Sequence, residues 1–288
     1  MIIVTGATGL LGRAVVGSLL GRVPAGGIGV SVRDPDKAAD LAERGVRVRR
    51  GDFTEPSTLP HAFEGASRVL VVSSNSSGTS AVTQHRSAIE AAVTAGAGRV
   101  VYTAHMGSNP ASPFPPMPDH AATEELLRDS GVAFTSLRNG FYTSTVPMLL
   151  GDAAETGELR LPEDGPVAWT AHADLAEAAA VALTSDDLDG LTPALTAVEA
   201  PDMAGVAAIA SELTGRPIRR ITVPDAEYRA ALLARGLPES AADMLVGLFA
   251  ASRDGDFGPA DPTLTGLLGR PPLSVRDVLR TALVTAPV

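Results

Sequence analysis

The 288-residue chain has no cysteine and a single lysine, Lys37. The first absence removes disulfides, iron–sulfur clusters, thiolate zinc sites and cysteine nucleophiles together. The second confines any lysine chemistry to one position. Aromatic residues make up only 4%, with one tryptophan, Trp169. Positive charge is also short: the formal net charge of −10 argues against a nucleic-acid partner, because phosphate binding needs a positive field. The densest basic run, Arg47, Arg49 and Arg50, reads as the solvated edge of a strand. No apolar run reaches the ~18 residues expected of a membrane span. MIIVTGATG opens a strand rather than a signal peptide, so the expectation is a soluble, cytoplasmic protein without a membrane partner. A homodimer is compatible with these totals. Arginine in place of lysine, with abundant alanine, reads as coding bias.

What is present is an ordinary globular balance, 45% apolar and 19% charged, enough for one large domain or two joined ones. Residues 1–5, 28–32, 46–50, 68–72, 98–103 and 132–137 read as strands, rich in Val and Ile and closed by Gly, Asp or Ser. Between them 10–22, 36–44, 80–96 and 119–130 read as helices. Ala14 and the series Leu11, Val15, Leu19 give the first an apolar stripe. Such alternation forces right-handed crossovers and an α/β, doubly wound parallel sheet with helices on both faces. NPASPFPPMP (109–118) reads as a loop that no regular element crosses, at the carboxyl end of the fifth strand, where ligands bind in this fold. Beyond 150 the pattern predicts short strands (158–161, 167–170, 194–198, 218–223) and helices (172–184, 202–214, 225–235, 239–252, 274–284). The expected division is a nucleotide-binding domain over 1–154, joined by 172–198, and a smaller substrate lobe over 199–288, joined by 155–171.

IIVTGATGLLGRAVV places Gly6, Gly9 and Gly12 directly after a strand and at the opening of a helix. Gly6 permits the tight turn, Gly9 lets the backbone approach a pyrophosphate, and Gly12 lets helix and strand pack closely. Thr8, Leu10 and Leu11 complete this cofactor turn, whose helix N-terminus offers unpaired N–H groups to phosphate. At the end of the second strand, SVRDPDK presents Arg33 and then Asp34. An acidic residue there would bond the ribose hydroxyls of NAD, whereas an arginine accommodates the 2′-phosphate of NADP. Asp34 precedes Pro35 and suits a cap or turn, so Arg33 is assigned to the phosphate, Lys37 adds a second charge, and the cofactor read is NADPH. Asp52 and Phe53 suit the adenine edge and face, or simply a strand-ending turn. Ser73, Ser74 and Asn75 end the fourth strand as candidate contacts to ribose and nicotinamide.

With these residues in place, TGATGLLG, VRDPDKA, QHRSAIEAAVTAGAGRVVYTA, DHAATEELLRDSGVAFTSLRNGFY and LLGRPPLSVRDVL resemble the NmrA-like group of atypical short-chain dehydrogenases, over essentially the whole chain. The nearest likeness is to its bacterial flavin-free NADPH:quinone reductases. The resemblance implies a Rossmann domain, a smaller substrate domain, NADPH and quinone reduction. The same group contains redox-sensing regulators that bind the dinucleotide without turnover, and a ketone or imine reductase of small-molecule biosynthesis is a further alternative.

Main-branch members use a Tyr-x-x-x-Lys pair, in which the lysine depresses the tyrosine pKa for proton transfer. Here Lys37 lies four residues after none of Tyr102, Tyr142 and Tyr228. Ala104 stands where related chains often show serine, leaving Thr103 and His105 as the nearest polar side chains along the cofactor and substrate. A quinone needs less help than a ketone, because hydride transfer yields a stabilised phenolate. His120 and Glu124 form a His-x-x-x-Glu pair one turn apart, with His120 the candidate proton donor or quinone-oxygen ligand. Asn139 is a candidate for the carboxamide or quinone oxygen, and Phe141 and Tyr142 for a flat aromatic substrate. Asp174 reads as organising a helix start, and His61, His85 and His172 as surface or packing residues. No metal site is expected.

Overall fold

A computed structural model describes residues 1–284. The strands are β1 (Ile2–Thr5), β2 (Ile28–Val32), β3 (Arg47–Arg50), β4 (Arg68–Val71), β5 (Arg99–His105), β6 (Ala133–Asn139), β7 (Phe141–Tyr142), β8 (Glu158–Leu161), β9 (Trp169–Thr170), β10 (Gly190–Leu191) and β11 (Arg219–Thr222). The helices are α1 (Leu10–Leu20), α2 (Ala39–Glu43), α3 (Leu59–Phe63), α4 (Thr79–Thr94), α5 (Pro116–Asp129), α6 (Val146–Leu150), α7 (Ala153–Thr156), α8 (His172–Thr184), α9 (Met203–Thr214), α10 (Asp225–Ala234), α11 (Glu239–Arg253), α12 (Thr263–Leu268) and α13 (Val275–Val284).

Seven strands make one sheet in the order β10-β6-β5-β4-β1-β2-β3, every pairing parallel. The doubly wound expectation is met, and the reason is visible in the alternation of side chains. Ile2, Val4, Leu70 and Val101 point to the layer of α1 and α8, while Ile3, Val69, Val71, Val100 and Tyr102 point to α3, α4 and α5. A strand buried on both faces has no polar period, so these segments read as continuous apolar runs. A third core lies beneath the parallel pair β8–β11, where α6, α9, α11 and α13 meet Phe114, Phe141, Trp169 and Phe257. Among the described residues no helix is long and apolar enough to cross a membrane.

Two expectations change. Residues 194–198 form no strand: Leu195 makes a single bridge to Asn139, and the strand that closes this edge is β10 on β6. The proline-rich segment is crossed by a helix, because α5 starts at Pro116. Proline is tolerated there, since first-turn N–H groups have no partner within the helix anyway. The rest of that loop is pinned. Ser112 Oγ donates to Asp256 Oδ2 at 2.5 Å, and Phe114 packs against Phe141 and Phe257. Asp174 is wholly buried and accepts from Arg270 Nη1 (2.8 Å) and Leu273 N–H (2.7 Å), so it fastens the 269–274 segment to α8.

Candidate active site

The carboxyl edge of the sheet opens into a groove of about 500 Å³ running from the glycine turn across β2 to the end of β4. At its floor Gly6 adopts φ +62° and its carbonyl accepts from Gly9 N–H at 2.9 Å. A Cβ on Gly12 would lie 2.7 Å from Gly6 C and closer still to Gly6 O, so only glycine lets α1 begin here. No side chain caps α1, which leaves its first-turn N–H groups directed at the groove. Leu11 is buried in the core and can offer only its backbone, whereas Leu10 is 73% exposed beside the turn. Thr8 lines the groove.

Arg33 also lines the groove and makes no hydrogen bond or ion pair among the described residues. Its neighbours are already engaged. Asp34 caps the following turn by accepting from Asp36 N–H at 3.2 Å, and its other oxygen lies 3.7 Å from Lys37 Nζ. Arg13, which sequence reasoning passed over, pairs with Asp40 at 2.6 Å and bonds the Lys37 carbonyl at 3.0 Å. Asp52 folds its carboxylate onto Thr54, accepting from N–H at 2.9 Å and from the hydroxyl at 2.8 Å, while Phe53 lines the groove. The residues suit a phosphorylated dinucleotide: a glycine cradle no side chain could share, an uncapped helix start and one unpaired guanidinium.

Ser73, Ser74 and Asn75 form the opposite wall. Thr103 does not reach the groove; it lies behind the wall, where its hydroxyl accepts from Ser73 N–H at 2.9 Å. The packing role expected for His85 is also corrected. His85 is 2% exposed, and its Nε2 accepts from Ser74 N–H at 2.9 Å. The sequence held one signal for this. His85 lies in the stripe Ala81, Ala88, Ile89, Ala92 of α4, and a polar residue in an apolar stripe requires a partner.

At the ends of β5 and β6 the remaining candidates gather. Tyr102, fully buried, lies with its hydroxyl 2.7 Å from His120 Nδ1. Burial pushes its phenol well above the usual value and keeps it protonated, so it can donate to Nδ1, the arrangement that puts the His120 proton on Nε2. His105 faces His120 in a stack at 6.3 Å and accepts from Gly107 N–H through Nδ1 at 3.1 Å. Register sets His105 opposite Asn139. The His105 Nε2 and Asn139 Oδ1 atoms are buried without partners among the described residues. Tyr142 rests on the His172 ring at 4.3 Å.

Three expectations fail at this end. Ala104 is turned into the helical layer with Tyr102 and Leu127, since its parity along β5 matches that of Tyr102. Phe141 is 7% exposed, packed edge-on against Trp169 and Phe257 rather than facing an open slot. Glu124 does not act with His120. It is 2% exposed and accepts from Arg138 Nε (3.0 Å) and Nη2 (2.7 Å), and from Ser136 Oγ (2.9 Å) and Ser108 Oγ (3.2 Å).

Burial holds His85 and His105 at about 3 and His120 at about 4, so all three fold neutral. In the unfolded chain each would titrate near its ordinary 6.5. Their stabilisation is therefore complete above pH 6.5 and is lost as pH falls toward the folded values. Each histidine contributes a slope of up to about 1.4 kcal/mol per pH unit in that window. Urea unfolding between pH 7.5 and 5 is expected to show steep acid destabilisation; a flat profile would show that these rings are solvated.

The sequence profile of a NAD(P)H-binding family matches residues 6–186. Quinone oxidoreductase 2 of Escherichia coli K12 is 34% identical over 278 residues, covering 96% of each chain. An NmrA-like family domain-containing oxidoreductase of Aspergillus flavus is 30% identical, covering 98% of this chain and 94% of the relative. The crystal structure of the NADPH-dependent quinone oxidoreductase of E. coli complexed with NADPH superposes with a TM-score of 0.93 at 33% identity, covering 98% of this chain and 99% of that one.

Proposed function

Because the chain belongs to the NAD(P)H-binding family, in its NmrA-like branch, we propose that it reduces quinone-like, flat electron acceptors with NADPH by direct hydride transfer. It is an NAD(P)H-dependent oxidoreductase. The observation that carries the finer reading is that the single lysine, Lys37, lies beside Asp34 and not beside Tyr102 or Tyr142, so neither phenol is drawn down toward neutrality, while burial keeps the His105 and His120 rings uncharged. The site thus offers hydrogen-bond donors but no group poised to exchange a proton near neutrality. A ketone needs such a group, because its alkoxide product is strongly basic. A quinone does not, because its reduced form is a stabilised phenolate that water can protonate.

The glycine turn and the first-turn N–H groups of α1 would hold the pyrophosphate, Arg33 the 2′-phosphate, and the Ser73–Asn75 wall the ribose and nicotinamide side. When bound, NADPH supplies the hydride. His120 Nε2–H, which has no protein partner among the described residues, donates to the acceptor oxygen as negative charge builds there. Tyr102, through Nδ1, fixes the tautomer and the plane of that ring. Packing of Phe114, Phe141 and Phe257 around His105 excludes water from beneath the site.

The test is NADPH consumption with a panel of benzoquinones and naphthoquinones. Tight NADPH binding with no quinone-dependent turnover would sink the proposal and favour a redox-sensing role. Cofactor choice is tested separately. Arg33→Ala is expected to weaken NADPH by about 10- to 100-fold, the worth of a charge-assisted phosphate contact, and NADH by under about three-fold. Equal weakening of both would remove Arg33 from the 2′-phosphate.

A further inference from the structure

The wall made by residues 73–78 continues past the end of β4, beyond its last ladder pair, Val71 with Tyr102. Three of its backbone donors are met by side chains. Ser73 N–H goes to Thr103 Oγ1 at 2.9 Å, within the sheet itself. The two outer anchors come from the helical layer. Ser74 N–H goes to His85 Nε2 on α4 at 2.9 Å, and Gly78 N–H goes to Asp119 Oδ2 on α5 at 2.7 Å. Asn75 and Ser76, both facing the groove, lie in the span between these anchors.

The anchors are also joined to each other. His85 Nδ1 lies 2.9 Å from Thr123 Oγ1, and the Thr123 hydroxyl donates to the Asp119 carbonyl at 2.8 Å. Since Nε2 must accept from an amide, the proton is on Nδ1 and is given to Thr123, whose own proton goes on to Asp119. Every proton in the chain Ser74–His85–Thr123–Asp119 therefore has one position. Loss of the His85 imidazole or of the Thr123 hydroxyl leaves a buried N–H without its acceptor, which is costly enough to move the loop. α5 also carries His120, so one helix positions both the cofactor wall and the donor at the acceptor end.

The geometry points to His85 as a positioning residue for cofactor binding: its Nε2 holds Ser74, and with Asp119 it sets the place of the Ser74–Gly78 wall against NADPH. The inference rests on the reductase reading above, because the groove must be the NADPH site. The test is direct NADPH binding to the full chain, followed by the cofactor's fluorescence. His85→Leu removes the acceptor and is expected to raise the NADPH dissociation constant about ten-fold, the effect of one lost buried hydrogen bond. His85→Gln offers an amide oxygen to Ser74 and an N–H to Thr123, and is expected to restore affinity to within about three-fold of wild type. Thr123→Val leaves the imidazole in place without its orienting partner, and should raise the constant in the same direction if the leucine variant does not fold. Equal NADPH affinity in wild type, His85→Leu and Thr123→Val would overturn the assignment while leaving the reductase reading intact. Equal loss in the leucine and glutamine variants would also overturn it, by reducing His85 to shape. Failure of the wild type to bind NADPH would overturn both.

Discussion

Gly12→Ala is expected to raise the NADPH dissociation constant at least about 100-fold. The added Cβ would meet Gly6 C at 2.7 Å and Ala7 Cα at 3.0 Å, and Gly6 O at less than either. Those atoms are the tight turn itself, where Gly6 already stands at φ +62° and bonds Gly9 N–H. The clash cannot be relieved by rotating a side chain, so the start of α1 must move away from β1. Its first-turn N–H groups would move with it, and they are the donors for the pyrophosphate. Gly17→Ala on the same helix is the control. A Cβ there meets nothing within 4 Å, and the change is expected to stabilise the protein by about 0.5–1 kcal/mol without altering affinity. Titration of both variants with NADPH, and thermal unfolding without it, separates the two effects. NADPH affinity within two-fold of wild type in Gly12→Ala would mean the pyrophosphate binds elsewhere.

The second large effect is expected at His120. His120→Phe keeps a ring where Tyr102 and His105 pack, but removes the Nε2–H donor. Quinone turnover is expected to fall by about 100-fold or more, the range seen when one donor to a developing oxyanion is lost. NADPH affinity should not change, because His120 lies at the acceptor end. The wild-type pH profile distinguishes a neutral donor from an acid. With His120 held at about 4, the ring is neutral throughout the working range, so kcat is expected to stay level from pH 9 down to pH 6. Were His120 a protonated acid of ordinary pKa, activity would climb steeply as pH fell through that same interval. Such a climb would reject the hydrogen-bond role in favour of proton donation.

The central sheet was legible because its rule is local. Six apolar runs closed by glycine, aspartate or serine, with helix-period segments between them, leave one architecture open, and β1 to β6 lie where those runs are. Residues 194–198 misled, because a short β-like segment says nothing about which edge is free to pair. Leu195 meets only Asn139, and Gly190–Leu191 takes the edge. Ala104 and Phe141 were misplaced for a related reason. Their nearness to the end of a strand was readable, but the face they take depends on parity within the sheet and on which core covers them.

Unaided, the sequence determined the parallel sheet, the glycine turn, the Asp34 cap and the impossibility of a tyrosine–lysine pair. Each rests on backbone geometry or on contacts within a few residues. Only the tertiary structure decided the partners of the buried polar groups. It gave Glu124 to Arg138, Tyr102 to His120, and Ser74 and Gly78 to α4 and α5. A buried donor or acceptor must be satisfied, yet the residue that satisfies it lies wherever the packing of distant elements brings one within 3 Å. No spacing along the chain records that distance.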